Sequence, residues 1–180
     1  MGFFKALFSA RSTSAADHFN RGNVYSSQGE YDKAVGQFTE AIRLDPKFAG
    51  AYNNRGHAYF VKREYDKAIA DCTEALRFNP QNEGAYFIRA WSYSRIRQPE
   101  TAIPDFTQVI RLAPRNAGAY HLRGLCYANL VDNEKALMDF VEVARLDPKL
   151  LRPTSEPDWL LTLYSKAEKL FEESQAGRGQ

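Results

Sequence analysis

This chain of 180 residues has few cysteines and histidines, and neither positive nor negative charge is in large excess. Cys72 and Cys126 cannot form a disulfide framework, and neither belongs to a CxxC pair, which favours a reducing compartment. Twenty-four Lys and Arg nearly balance 22 Asp and Glu, so the net charge of +2 gives no reason to expect nucleic acid as a partner. No uncharged apolar run reaches the roughly 18–20 residues of a membrane span. The composition predicts a cytoplasmic protein.

Signatures of catalysis and metal binding are also missing. The sequence contains no GxSxG, HExxH, GxxxxGK[ST] or glycine-rich nucleotide loop. His18, His57 and His121 are widely separated, and helices that pack about 8–10 Å apart place such residues badly for sharing a metal at about 2 Å. Both cysteines fall at helical packing positions. We therefore predict no enzyme activity, no cofactor and no metal.

An internal period of 34 residues dominates the remaining chain. It relates the tyrosines at 25, 59, 93 and 127, the alanines at 34, 68, 102 and 136, and the prolines at 46, 80, 114 and 148. A small residue recurs at the same step: Gly22, Gly56, Ala90 and Gly124. The period predicts four units, at 15–48, 49–82, 83–116 and 117–150.

Each unit has the pattern of a pair of antiparallel helices. Apolar residues recur at helical spacing in the second half of unit one: Tyr31, Ala34, Val35, Phe38, Ala41 and Ile42. The turn at 28–30 is short, and the residue before each terminal proline is pushed out of the helical region, which ends the second helix. Because each pair leaves an apolar face that only the next pair can cover, the units are expected to stack as an all-α solenoid.

The sequence resembles the tetratricopeptide repeat (TPR) family. The resemblance is clearest in unit two, at residues 51–59 and 64–69, and it recurs in register in all four units. It implies a right-handed superhelix whose first helices line a concave groove. The implied function is a non-catalytic adaptor or scaffold that binds a peptide or protein segment there. The sequence does not identify the partner, the pathway or the oligomeric state.

The candidate binding residues are the positions that the resemblance places on the concave groove. They are Asn20, Asn23, Asn53, Asn54, His57, Phe60, Phe87, Trp91, Arg95, His121 and Leu125. Asparagine offers both a donor and an acceptor to a peptide backbone, and aromatic rings supply contact area at modest entropy cost. Helix packing is the alternative role for Phe87 and Trp91.

One TPR subclass grips the C-terminal carboxylate of a chaperone with two Lys, two Asn and an Arg. Asn23 and Asn54 match its asparagines, but Phe19, Gly84 and Ile88 stand where the resemblance places its three cations. A buried carboxylate would therefore lack charge partners, which disfavours a chaperone-tail clamp.

The two ends depart from the period. Residues 1–14 are predicted to form a short amphipathic helix and a linker. Residues 2–8 are expected to cap the solenoid, lie in its groove, mediate self-association or bind a membrane, and the last role makes a membrane-peripheral assembly factor the alternative function. Residues 151–174 are predicted to be a linker and a capping helix, and 175–180 a disordered tail. The expected apolar face of the capping helix comprises Trp159, Leu160, Leu163, Tyr164, Leu170 and Phe171.

Two further predictions concern packing. Arg21, Arg55, Arg89 and Arg123 recur every 34 residues at a partly buried position, so they should be paired, preferably with the Asp of their own unit. Pro104, which lies inside the second helix of unit three, should kink that helix or delay its start.

Overall fold

The computed structural model describes residues 14–151 and 157–176. Within these ranges the chain forms nine α-helices and no strand. The helices are α1 (Ala15–Ser27), α2 (Tyr31–Leu44), α3 (Ala49–Val61), α4 (Tyr65–Phe78), α5 (Glu83–Arg95), α6 (Pro99–Leu112), α7 (Ala117–Asn129), α8 (Asn133–Leu146) and α9 (Asp158–Ala176). A short 3₁₀ helix, Pro148–Leu151, follows α8. The predicted right-handed α-solenoid is confirmed.

Most of the predicted N-terminal segment, residues 152–156 of the predicted linker and residues 177–180 of the predicted tail lie outside the described residues. Of the segment predicted at 1–14, only Ser14 is described. It caps α1 through reciprocal backbone-to-side-chain hydrogen bonds with Asp17. At the other end α9 continues to Ala176, past the predicted boundary at 174.

A left-handed residue closes the turn between the two helices of every unit. Gly29, Arg63, Arg97 and Val131 have φ values of 77°, 62°, 61° and 61°. Their positions differ by 34, so the turn is repeated together with the helices. Only the first unit uses glycine, the residue that reaches this region without steric cost.

A close approach at the small repeated residue joins the two helices of a unit. A Cβ on Gly124 would lie 2.5 Å from Cε1 of Phe140, and one on Gly22 would lie 2.5 Å from Cε1 of Phe38. Both rings are fully buried. These glycines are therefore required for the distance between the helices.

Ion pairs join the two helices of a unit, and the arginine of each pair also donates to a threonine of the preceding unit. The guanidinium of Arg89 donates from Nε and Nη2 to the two carboxylate oxygens of Asp105, at 2.7 and 2.8 Å, and from Nη1 to Oγ1 of Thr73 in the preceding unit. The same three contacts recur as Arg55–Asp71–Thr39 and Arg123–Asp139–Thr107. The predicted pairing within a unit is confirmed at these three arginines. Arg21 has Gln37 in the aspartate position, and its guanidinium contacts His18 instead.

The C-terminal helix covers the open end of the last unit. Leu160, Tyr164 and Ala167 are buried, and the ring of Tyr164 meets that of Phe140 edge-on at 4.7 Å. The predicted face was wrong at Trp159 and at Leu170, which are 49% and 39% exposed. Each is next in sequence to a residue that packs on the core, so it lies about 100° around the helix, at the side of the apolar stripe.

The prolines of unit three do not delay its second helix. α6 begins at Pro99, the position where α2, α4 and α8 begin in their own units. Pro99 occupies the first turn, where the missing N–H has no helical partner in any case. The predicted late start was therefore wrong, and the kink at Pro104 stays a prediction.

Candidate functional site

The first helices of the four units form one continuous face. Helix α3 contacts α1 and α5, and α5 also contacts α7, whereas the second helices approach one another less closely. Closer spacing on one side curves the stack, so the first helices line the inner, concave face.

A pocket of about 420 Å³ opens on this face between α3 and α5. Its walls are mostly apolar, and its lining residues are His57, Phe60, Glu83, Gly84, Phe87, Ile88, Trp91 and Asn116. The ring of Trp91 is the centre of the aromatic wall: it lies 4.6 Å from the centroid of Phe60 and meets Phe87 edge-on at 5.7 Å.

Glycine at position 84 keeps one side of the pocket open. A Cβ there would lie 3.3 Å from Oδ1 of Asn53, and Gly84 itself is exposed. Any longer side chain at this position would therefore compete for the space that the pocket now contains.

A chain of three asparagine amides runs beside the pocket across α3 and α1. Nδ2 of Asn53 donates to Oδ1 of Asn54 at 2.9 Å, and Nδ2 of Asn54 donates to Oδ1 of Asn23 at 2.7 Å. Oδ1 of Asn53 is buried without a hydrogen-bond partner in the described part of the chain. An unmet buried acceptor costs roughly 1–3 kcal/mol, so this amide gains from any donor that reaches it.

The polar rim of the pocket contains one carboxylate and one neutral imidazole. Oε1 of Glu83 accepts from Nδ2 of Asn116 at 2.8 Å, which holds the carboxylate in the lining of the pocket. Desolvation lowers the pKa of His57 below its ordinary value of 6.5. The rim therefore has a negative charge at neutral pH and no compensating positive charge from His57.

The structure brings four of the predicted residues together in the pocket: His57, Phe60, Phe87 and Trp91. Asn23, Asn53 and Asn54 form the neighbouring amide chain, and Asn20 is exposed on α1. Arg95 is exposed as well, with its Nε 3.4 Å from the hydroxyl of Tyr65.

Two predicted residues lie against the C-terminal helix instead. Nε2 of His121 is 2.9 Å from the hydroxyl of Tyr164 in α9, and Leu125 packs on the core formed by α8 and α9. Neither lines the pocket.

The prediction omitted four lining residues: Glu83, Gly84, Ile88 and Asn116. Two of them carried a usable signal, because Gly84 and Ile88 stand where the chaperone clamp has cations. Because Gly84 and Ile88 are shorter than lysine and arginine, space is left beside them, and this space is part of the pocket. Glu83 and Asn116 gave no such signal, since each lies at or next to the start of a helix.

The described residues include two buried thiols, Cys72 and Cys126, and the possible metal ligands His, Asp and Glu. Burial raises the pKa of Cys72 to about 12 and that of Cys126 to about 11, which keeps both thiols protonated. Among residues 14–151 and 157–176 no group of three or more His, Cys, Asp or Glu is placed to hold a metal. The same part of the chain has no helix long and apolar enough to cross a bilayer.

Comparison with known proteins identifies the repeat. A model described as TPR repeat matches residues 22–62, and two described as tetratricopeptide repeat match 49–82 and 89–150. Together these matches cover most of all four predicted units. No curated protein matches the chain.

Solved structures share the fold over most of the chain. YrrB, a TPR protein with an unusual peptide-binding site, is 25% identical with a TM-score of 0.75, over 96% of this chain and 84% of YrrB. The first TPR of Spaghetti (RPAP3), bound to the HSP90 peptide SRMEEVD, is 29% identical with a TM-score of 0.65, over 67% and 95% of the two chains. MamA, 23% identical with a TM-score of 0.74 over 81% and 85%, supports the fold alone. On the three family matches and these likenesses, the chain belongs to the tetratricopeptide repeat family.

Proposed function

We propose that this protein-interaction module binds an extended peptide or protein segment along its concave face, with one large apolar side chain of that segment in the pocket beside Trp91. The observation that carries the proposal is the pocket itself, an aromatic cavity on the concave face of a TPR solenoid. Its volume of about 420 Å³ lies in the roughly 300–1,000 Å³ range of ligand pockets. Peptide binding by YrrB and by the first TPR of RPAP3 supports the same use of the fold.

The amide chain supports an extended ligand rather than an isolated small molecule. Asn23, Asn53 and Asn54 run from α1 to α3, and the pocket continues the row to α5. An extended peptide presents one donor and one acceptor per residue. Rearrangement of the amide chain toward such a ligand is favoured because Oδ1 of Asn53 has an unmet hydrogen bond.

The charge of the pocket argues against an acidic C-terminal tail as ligand. Gly84 and Ile88 line the pocket at two of the three positions where the chaperone clamp has cations, and the third position is Phe19. The carboxylate of Glu83 lines the pocket, where it would repel a ligand carboxylate. The favoured ligand is therefore an internal segment with an apolar anchor.

An array of dodecapeptides that vary in their central apolar residue and in their C-terminal charge tests this function. Wild-type protein should retain peptides with an aromatic or large aliphatic anchor and reject acidic C-terminal tails. Retained peptides are then titrated by fluorescence anisotropy against Gly84→Leu, which places a side chain in the pocket without removing any packing.

Gly84→Leu should weaken the retained peptides by at least about tenfold, or 1.4 kcal/mol. Gly36→Leu is the matched control, because Gly36 is exposed on α2 with open space around it. If both variants are folded, as measured by circular dichroism, and bind the peptides with equal affinity, the binding surface lies outside the pocket.

A further inference from the structure

We propose that residues 2–8 of this chain occupy the pocket of their own molecule, with the Phe3–Phe4 pair as the anchor and Lys5 beside Glu83. A partner that binds in the same pocket then has to compete with this segment. This inference rests on the proposed function, because it places a specific segment in the same pocket.

The segment has the chemistry that the pocket selects. Its large apolar residues are Phe3, Phe4, Leu7 and Phe8. Lys5 and Arg11 are the charged side chains of residues 1–13, which contain no Asp or Glu. An aromatic anchor beside a cation complements a pocket with an aromatic wall and with the Glu83 carboxylate in its lining. No carboxylate of the segment opposes Glu83.

The chain between the segment and α1 is long enough. Ser14 precedes α1 as Asn82 precedes α5, so the segment leaves the solenoid at the level of Glu83. Neighbouring helices pack about 8–10 Å apart, which places α5 roughly 16–20 Å from α1 across α3. Ten residue steps separate Phe4 from Ser14 and span up to about 33 Å. Phe8, six steps away at about 20 Å, barely reaches the pocket, which favours the Phe3–Phe4 pair.

The short tether favours the molecule's own groove over that of a second copy. Residues 9–13 are a Ser, Ala, Arg, Ser and Thr, a small and polar connection. A tether of so few residues holds the segment at an effective concentration in the millimolar range. A second molecule competes only when the protein itself approaches that concentration.

Peptide titration of the full chain tests the inference. A fluorescein-labelled peptide of residues 2–14 is titrated by anisotropy against wild-type protein and against Phe3→Ser/Phe4→Ser, which removes the anchor but leaves the solenoid intact. The peptide should bind the double variant about tenfold more tightly, because the wild-type groove is already filled at millimolar effective concentration. Adding Glu83→Lys to the double variant should weaken the peptide, and a Lys5→Glu peptide should bind this triple variant more tightly than the double variant.

A second readout uses Trp91 as a reporter. In a Trp159→Phe background Trp91 is the remaining tryptophan. Phe3→Ser/Phe4→Ser should increase acrylamide quenching of Trp91 about twofold, a change that depends on occupancy of the pocket and not on folding.

Three results would overturn the inference. If the wild-type protein and the double variant bind the peptide with equal affinity, the segment does not occupy the groove. If light scattering shows that the wild-type protein is a dimer and that the double variant is a monomer, the segment binds a second copy instead. If the wild-type protein binds vesicles of phosphatidylcholine and phosphatidylserine, and Phe3→Ser/Phe4→Ser abolishes this binding while peptide affinity is unchanged, the segment binds a membrane instead. If array peptides bind the pocket while the 2–14 peptide does not, only this inference fails. If no peptide binds there, the proposed function fails as well.

Discussion

Loss of one aspartate from the repeated Arg–Asp ion pairs should destabilise the whole solenoid. In Asp105→Ala the guanidinium of Arg89 loses two charge-assisted hydrogen bonds of 2.7 and 2.8 Å. The side chains of Arg89 and Asp105 are only 20% and 9% exposed, so water replaces the carboxylate poorly. Removing one partner of a fully buried pair costs about 3–5 kcal/mol. Because Arg89 retains some water and its contact to Thr73, we expect about 2–3 kcal/mol.

Urea and thermal unfolding followed by circular dichroism measure this cost. For a chain of this size the expected loss lowers the midpoint temperature by roughly 4–12 °C. Unit one supplies the matched control, since Gln37 stands at the position of Asp105 and bears no charge. Gln37→Ala should cost under about 1 kcal/mol, the net worth of an ordinary hydrogen bond.

A double-mutant cycle separates the pair from its surroundings. Arg89→Met/Asp105→Ala should be less destabilised than the sum of the single variants, because neither charge is then left without its partner. If Asp105→Ala costs no more than Gln37→Ala, or if the cycle shows additive effects, the ion pairs contribute no stability and the reasoning fails.

Three other predictions concern packing, turn strain and pH. Gly124→Ala should cost about 1–3 kcal/mol of unfolding free energy in urea titrations, because its Cβ would lie 2.5 Å from the buried ring of Phe140; an unchanged midpoint would disprove the close approach. Val131→Gly should stabilise the chain by about 1 kcal/mol in the same titration, because a β-branched residue at φ 61° is strained and its side chain is 79% exposed; a loss of stability would contradict this. Desolvation lowers the pKa of His121 below 6.5, so the unfolded chain binds its proton first and stability should fall as the pH drops from 7 toward 5. His121→Gln, which keeps a partner for the hydroxyl of Tyr164, should reduce that fall, and an identical pH profile of midpoint temperatures would refute the assignment.

The periodic part of this protein was predictable because each feature depends on local pattern. The 34-residue step predicts the helix pairs. The glycines at 22, 56 and 124 predict close contacts between the helices, which the structure confirms. The pairing of Arg55, Arg89 and Arg123 followed from a charge at a buried position, where an unpaired guanidinium is costly.

The site was less predictable than the fold. His121 occupies the same repeat position as Phe87, yet it contacts Tyr164 of α9 while Phe87 lines the pocket. The repeat pattern cannot distinguish these two environments, because the capping helix comes from outside the repeats. Trp159 and Leu170 were assigned to the buried stripe for a related reason: helical spacing identifies a face but not how wide a part of it the neighbouring helices cover.

Amino-acid order alone thus specified the helices, their pairing and the number of units, since these depend on residues at most 34 positions apart. Where the cavity lies, which charge borders it and which concave positions are covered were decided only by tertiary packing. The physical reason is that a pocket is space left between helices, here between α3 and α5. Its volume depends on the side chains that are small or absent, such as the one missing at Gly84, as much as on those that are present.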